Sequence, residues 1–440
     1  MPLDKETYDQ QFSAAANAYD TGDITTAFQN IRGLLSYPES PELDWRWAPT
    51  WNLFAAIGGE FAGKDFTQLA QHVALYPNNA NILYRMGYEL VEKSLPQIAA
   101  TVLTRAQQLS PDNPRIIEEL AVALERSHFH TEACRLLRSQ PTLLEKYFLL
   151  RYLLVFNTIM LGDLAAVRQR LPLNPGNDRE QTMAQNLEDM VTRADCISTA
   201  SPLDTQDLRG WHFALTRGLL LHRSPYGLDA GMYGRYAYIQ DSYSLIHEGI
   251  QRLKLVLDIW QFPLNRIIML PDRSSQILAH AVAQAFHCDL APWTDTPADR
   301  TGLVVAYDLN DISDVTFQHL STVRPNQLFW THASCWTQDQ PYAADLTTFL
   351  YQFNTNPWSG QGMRRSDSGE PVKQAVDERA APAIAADILN APLRTDALCD
   401  RTDLETLASA LWPRLQQMQQ TQSLRCRQWN GSPVRSSQFT

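Results

Sequence analysis

A repeat period of about 34 residues in the first half of the chain limits its fold more than any single motif. In a unit that begins at Ala80, small residues fall at Gly87, Ala99 and Ala106, and Pro111 follows. Leu83, Met86, Leu90 and Leu103 fill the large apolar slots between them. Gly and Ala at this spacing let two antiparallel helices touch, and a proline without an N–H ends the second one. One period earlier, from Arg46, Leu53 and Ala56 take inward slots and Pro77 closes the second helix. One period later, from Pro114, Ala121, Leu124, Ala133 and Leu137 fall in register. From Phe148 the unit gives Leu154, Val155 and Val167 with a turn at Gly162-Asp163. From Tyr8 it gives Ala14, Ala15, Ala18, a Gly22-Asp23 turn and Ala27.

These small, large and proline positions resemble those of the tetratricopeptide-repeat (TPR) family over roughly residues 5–196, and the unit from Ala80 carries the likeness best. The resemblance implies an α-superhelix over 1–197, with about five hairpins and a capping helix. It also implies a protein or peptide partner in the groove of that superhelix. The departures are Asp65 where the family has Ala, and Gln140 and Glu145 where it has Ala and Pro. Those units are expected to be looser or bent. His128-Phe-His130 falls in a repeat turn and is expected at the surface.

Bulk composition narrows the function classes. The 440 residues suffice for two or three domains. A net charge of −11 argues against nucleic acid as the partner. No apolar run approaches the roughly 20 residues of a membrane span. The start, Met1-Pro-Leu-Asp-Lys-Glu, has no apolar leader stretch. Six scattered cysteines without a CxxC spacing suit reduced thiols, so the expected compartment is the cytoplasm.

Beyond Cys196 the period stops. A polar stretch, Ser198–Asp207, reads as a linker or a helix cap. Ile246–Trp260 has helical spacing, and Asn265–Leu270 reads as a buried strand ending at Pro271. Ser274-Ser275 then caps a helix reaching about Phe286. Gly302–Tyr307 and Gln327–His332 are further strands, and helices are predicted from Asp311 and over Asp345–Phe353. Strand and helix in alternation predict a parallel-sheet α/β domain over 208–360 with a Rossmann-like layout. The fold class expected of the whole chain is thus α plus α/β. Residues 361–375 read as a mobile linker, 376–422 as two C-terminal helices, and 423–440 as a disordered tail.

The strand ends of this domain resemble those of phosphoribosyltransferases over roughly 245–355. In that resemblance Pro271–Ser275 holds the place of a phosphate loop, Arg273 meets a phosphate, and Asp308 is one of an acidic pair. Tyr307 replaces the other acid, and Asn310-Asp-Ile-Ser313 replaces a glycine-rich phosphate loop. The candidate ligand-binding residues are therefore Arg273, Ser274, Ser275 and Asp308, with Tyr233 and Arg235 from the Gly- and Tyr-rich stretch 226–238. Glycines there supply turn geometry or a lid.

Every catalytic or metal constellation lacks a member. His332 and Cys335, and His287 beside Cys288, have no second ligand pair. The expected function is a scaffold or adaptor without a cofactor, a metal or a catalytic residue. The alternative is a transferase-like enzyme with a nucleotide or sugar-phosphate at the strand ends; for the scaffold, only weak affinity for a phosphate-containing ligand is expected.

Overall fold

The computed structural model describes residues 4–38, 45–226, 231–294, 301–366, 370–393, 401–421 and 424–436. Two compact units divide the chain, Met1–Leu187 and Glu188–Thr440.

The first unit is a succession of helices: α1 (Lys5–Asp20), α2 (Ile24–Leu35), α3 (Trp47–Ala62), α4 (Lys64–Leu75), α5 (Ala80–Glu92), α6 (Pro96–Leu109), α7 (Pro114–Arg126), α8 (His130–Arg138), α9 (Pro141–Lys146), α10 (Phe148–Met160) and α11 (Leu164–Arg168). A longer helix, α12 (Asp178–Ile197), runs across the boundary between the units. Short polar residues start many of them: Asp4, Asp23, Asn79, Asn113 and Asp163 each accept an N–H of the first turn. Helices pair as antiparallel hairpins, α1 with α2, α3 with α4, α5 with α6. Gly87 is where α5 meets α6: a Cβ there would lie 2.4 Å from Leu103 Cγ. Ala99 and Ala106 are fully buried in α6. In the later units Ala121, Leu124, Ala133, Leu137, Leu154, Val155 and Val167 are buried.

The period slips in the unit from Arg46. There Leu53 and Ala56 are only half-buried, while Phe54, Ala55, Ile57 and Gly58 face the core. α3 also runs longer than α5 and is joined to α4 through the single residue Gly63 at φ +84°. His130 is not at the surface as expected. It is buried and its Nδ1 stands 2.8 Å from Asn157 Oδ1.

The second unit holds a seven-stranded sheet: β1 (Leu219–Leu220), β2 (Tyr236–Gln240), β3 (Arg266–Met269), β4 (Asp289–Pro292), β5 (Gly302–Asp308), β6 (Gln327–Cys335) and β7 (Leu346–Thr355). Every pairing in it is parallel, in the order β1-β7-β6-β5-β3-β4, with β2 also on β7. Every residue of β5 and β6 is buried, as in a sheet covered on both faces. Alternation divides them. Leu303, Val305, Tyr307, Leu328 and Trp330 pack with α14 (Tyr243–Trp260) and α15 (Arg273–Phe286). Val304, Ala306 and Phe329 pack with α16 (Asp314–Leu320). A short helix, α13 (Leu208–Thr216), leads into β1.

The helix expected over Asp345–Phe353 is strand β7. Leu-Thr-Thr-Phe-Leu-Tyr is β-branched and aromatic, and its burial on both faces removes the alternation that marks a half-exposed strand. The parallel return from β6 to β7 is made instead by the irregular segment 336–345, whose Tyr342 and Ala344 cover one face of the sheet. Nor is 198–207 a loose linker. Ser201 is buried and donates to Asp207, and Trp211 Nε1 donates to the Asp204 carbonyl at 3.0 Å.

The stretch 361–375 carries an antiparallel pair, β8 (Met363–Arg365) and β9 (Pro371–Lys373), with 367–369 outside the described residues. Two helices follow, α17 (Ala381–Asn390) and α18 (Arg401–Thr421). Leu404, Leu407, Leu411 and Leu415 join the α14 core, and Trp412 stacks on Trp260 with 5.2 Å between centroids. The disordered tail expected at 423–440 is corrected over 424–436. Arg425 is buried there and donates to the carbonyls of Leu320 and Thr322 and to Asp345. Residues 422–423 and 437–440 lie outside the described residues.

The Gly87–Leu103 contact gives a direct test. Gly87→Val overpacks the hairpin and lowers stability by about 2 kcal/mol. Tyr88→Val, one residue on and exposed, stays within about 0.5 kcal/mol of wild type. Chemical denaturation of the two variants reads the difference, and equal midpoints would refute the close approach.

Candidate functional site

Parallel sheets bind ligands beyond the carboxyl ends of their strands, so that edge comes first. β3 leads into Pro271–Ser275, β5 ends at Asp308, and β6 ends at Cys335. At the start of α15 the Asp272 carboxylate accepts the Ser275 N–H at 2.8 Å. Ser275 is fully buried, and its Oγ accepts the Tyr307 N–H at 2.9 Å. Ser274 Oγ accepts from Trp358 Nε1 at 3.0 Å. Arg273 turns to the later chain and donates to the carbonyls of Asp377 and Arg379 at 2.7 and 2.9 Å. The N-terminus that the sequence offered to a phosphate thus already holds a carboxylate of its own chain.

Asp308 is buried and accepts the Tyr351 hydroxyl at 2.5 Å and the Asn310 N–H at 3.0 Å. Asn310 also donates to Tyr351 at 3.1 Å, and Gln340 donates to Asn310. Burial pushes the Asp308 carboxyl up to about 6, against the lowering by Tyr351 and Asn310. The Tyr351 phenol is raised by burial and then by the Asp308 charge.

A second cluster stands at the same edge. Asp241 Oδ2 accepts the Tyr307 hydroxyl at 2.8 Å and lies 3.2 Å from His332 Nε2; all three side chains are buried. Burial, then Asp241, raises the Tyr307 phenol well above its ordinary range. Asp241 escaped the sequence reading because 66 residues separate it from Tyr307 and no spacing rule joins them. The pairing of His332 with Cys335 does not arise, since an odd separation along a strand sends side chains to opposite faces. Cys335 Sγ lies 3.2 Å from Thr337 Oγ1 instead. Among the described residues no three His, Cys, Asp or Glu side chains form a metal-holding group.

The two cavities that Arg235 lines include neither Arg273 nor Asp308. Tyr233 takes φ +47° and Gly234 φ +96° in a turn that the Arg235 N–H closes on the Met232 carbonyl at 3.0 Å. A Cβ on Gly234 would press on Arg223, so glycine serves the turn here. The turn delivers Arg235 into the interior, 4% exposed, with its guanidinium 5.3 Å from the Trp336 ring. Burial lowers the guanidinium to about 9. Burial and then Arg235 hold His212 down near 4, which leaves that imidazole neutral. Arg235 lines a cavity of about 600 Å³ with Tyr236, Tyr238, Met232 and Leu245, and a small one of about 30 Å³ with His212 and Trp336. Residues 227–230 of this stretch are outside the described ones.

In the first unit, the neighbouring helices α5 and α7 present one mixed face. Tyr88 is exposed and Tyr84, Glu118 and Glu119 are half-buried. Burial raises the Glu119 carboxyl first and Glu118 raises it further, while burial and then Glu119 raise the Tyr84 phenol.

No family model matches the chain, and no curated protein matches it. Similar solved structures include MamA of AMB-1, at 16% identity over 41% of this chain and 96% of that one, with a TM-score of 0.23. MamA of MSR-1 gives 15% identity, 41% and 94% coverage and a TM-score of 0.23. At these values the likeness carries no argument about this chain.

The raised Asp308 carboxyl has a consequence for pH. Its folded pKa of about 6 lies above the ordinary 3.8, so the folded state binds this proton more tightly. Its ionisation therefore removes stability as pH rises from about 4 to about 6, by roughly 1–3 kcal/mol in full. Asp308→Asn lacks that loss. Stability of variant minus wild type should climb across this interval in parallel urea titrations, and a flat difference would show an ordinary carboxylate.

Proposed function

We propose that the chain is a TPR-type scaffold that binds a protein segment along the first helices of its hairpins. The α/β unit is then a second docking or regulatory module rather than a catalyst. The observation that carries this reading is the face shared by α5 and α7. It offers Tyr88 and Tyr84 beside the carboxyls of Glu118 and Glu119, on helices held rigidly by close hairpin packing. Aromatic rings with a polar tip are effective anchors for a partner, because they give large contact area with few rotatable bonds. The strand ends support the same reading from the other side. Ser274, Ser275, Arg273 and Asp308 are each engaged by the chain's own groups. No helix of the described residues is long and apolar enough to cross a membrane, and the five described cysteines are free thiols. A cytoplasmic site of action fits both.

Tyr84→Ala with Tyr88→Ala should reduce recovery of the partner about tenfold in affinity purification from the native cell followed by mass spectrometry. Asp308→Asn should leave that recovery unchanged. Equal recovery by the tyrosine variant and wild type would remove the groove from the proposal.

One observation favours a second reading, a transferase-like enzyme. Two buried titratable clusters, around Asp308 and around Asp241, sit at the edge where parallel sheets do chemistry. Calorimetry with phosphoribosyl diphosphate and common nucleotides, with and without magnesium, separates the two. The scaffold reading expects at most weak binding that needs magnesium. Micromolar binding lost in Arg273→Ala would put the enzyme first.

A further inference from the structure

Burying a charge without a partner costs far more than burying a neutral polar group. Within the described residues of the second unit, the buried carboxylates meet counter-charges or donors. Asp345 has Arg217 and Arg425, Glu248 has Arg252, and Asp308 has Tyr351. Arg235 breaks the pattern. Among the described residues its Nε and Nη1 are buried with no hydrogen-bond partner, and it forms no ion pair. Among the described residues the Trp336 ring stands against its charge, and a cation–π contact compensates a small part of a buried guanidinium's lost hydration.

The same small cavity collects other orphans. His212 Nε2 and Gln428 Oε1 are also buried and unpartnered, and both residues line the roughly 30 Å³ space beside Arg235. No carboxylate lines it. That volume exceeds the 10–15 Å³ or so that one water requires. A neutral imidazole can donate from Nε2, and a half-turn of the Gln428 amide presents its N–H group. The cavity is thus lined by two potential donors and one cation that has no ion pair among the described residues.

We infer that this cavity holds a small monoanion of halide size, bound by the Arg235 guanidinium with His212 and Gln428 as neutral donors. Water fills the same volume and satisfies the same donors, but it brings no charge, and the charge is what the site lacks. The anion completes the electrostatics of the interior and fastens the 428–432 segment to the turn that carries Arg235.

Bromide is the probe. Thermal unfolding of the full chain is followed while sodium gluconate is replaced by sodium bromide at constant ionic strength. The melting temperature should rise by about 5 °C at saturating halide, because a ligand of the folded state stabilises it by mass action. Arg235→Met, which keeps the volume and removes the charge, should abolish the rise. Arg235→Lys keeps the charge on a differently shaped donor and should shift the midpoint about tenfold upward. Bromide-soaked crystals of the unmodified chain give a readout that no variant's folding affects. An anomalous peak within hydrogen-bond reach of the Arg235 guanidinium supports the site. No peak there, or a halide response as large in Arg235→Met as in wild type, overturns it.

Discussion

The second unit hangs on one carboxylate. Asp345 lies mostly out of solvent just before β7, where loss of hydration alone would raise its pKa. Arg425 and Arg217 outweigh that and hold it below the ordinary carboxylate range. Arg425 reaches it at 2.7 Å from beyond α18, and Arg217 at 3.1 Å from the end of α13, two residues before β1. Asp345 also takes the Phe329 N–H of β6 at 2.9 Å, and its carbonyl takes the Leu219 N–H of β1. A single residue thus ties β6, the approach to β1 and the end of the described chain to the start of β7. Its contribution to stability is present above the ordinary carboxylate pKa and disappears as pH falls through the depressed value. Removing one partner of such a set leaves a buried charge uncompensated, so the three residues act as a unit.

That clamp explains which parts of the fold were legible in the sequence. Helix hairpins are local. Their period, caps and small contact residues lie within one stretch of chain, and Gly87 against Leu103 needs only sixteen residues of context. The slip in α3 is legible only afterwards, because nothing short-range announces that a helix will run one turn longer. The α/β unit is the reverse case. β3 and β5 were readable as apolar runs, but β7 was not, since it is buried on both faces and lacks alternation. The rule that a helix bridges two parallel strands then pointed to a helix where the strand is. The order of segments 424–436 was hidden for a plainer reason: Arg425 matters through Asp345, 80 residues away.

The candidate site was legible in its parts and not in its assembly. Asp308 and Ser275 stand at the strand ends, where the resemblance placed them, yet each is satisfied by a residue that spacing could not nominate. Tyr307 entered the reading as a defect, the wrong residue at an acidic position. In the structure its backbone N–H seats Ser275 and its hydroxyl binds Asp241, so one residue joins the start of α15 to the end of β2. Polar groups at the strand ends are in this way filled in by side chains of the chain itself.

Filling of this kind has two chemical outcomes, and they differ in what they leave behind. Where the chain's own group is complementary, the polar end becomes core. Asp272 on the α15 N-terminus and Tyr351 on Asp308 do this, and each is a fixed partner from the chain itself. Where no complementary group arrives, a donor is left with its hydration removed and nothing in return. Arg235 is that case, carried inward by a left-handed turn at Tyr233 and Gly234 that leaves its side chain little choice of direction. The two outcomes are distinguishable by charge balance alone. At the strand ends Asp272 and Asp308 have their donors, whereas Arg235 has no counter-charge among the described residues, so the balance there closes with a negative species.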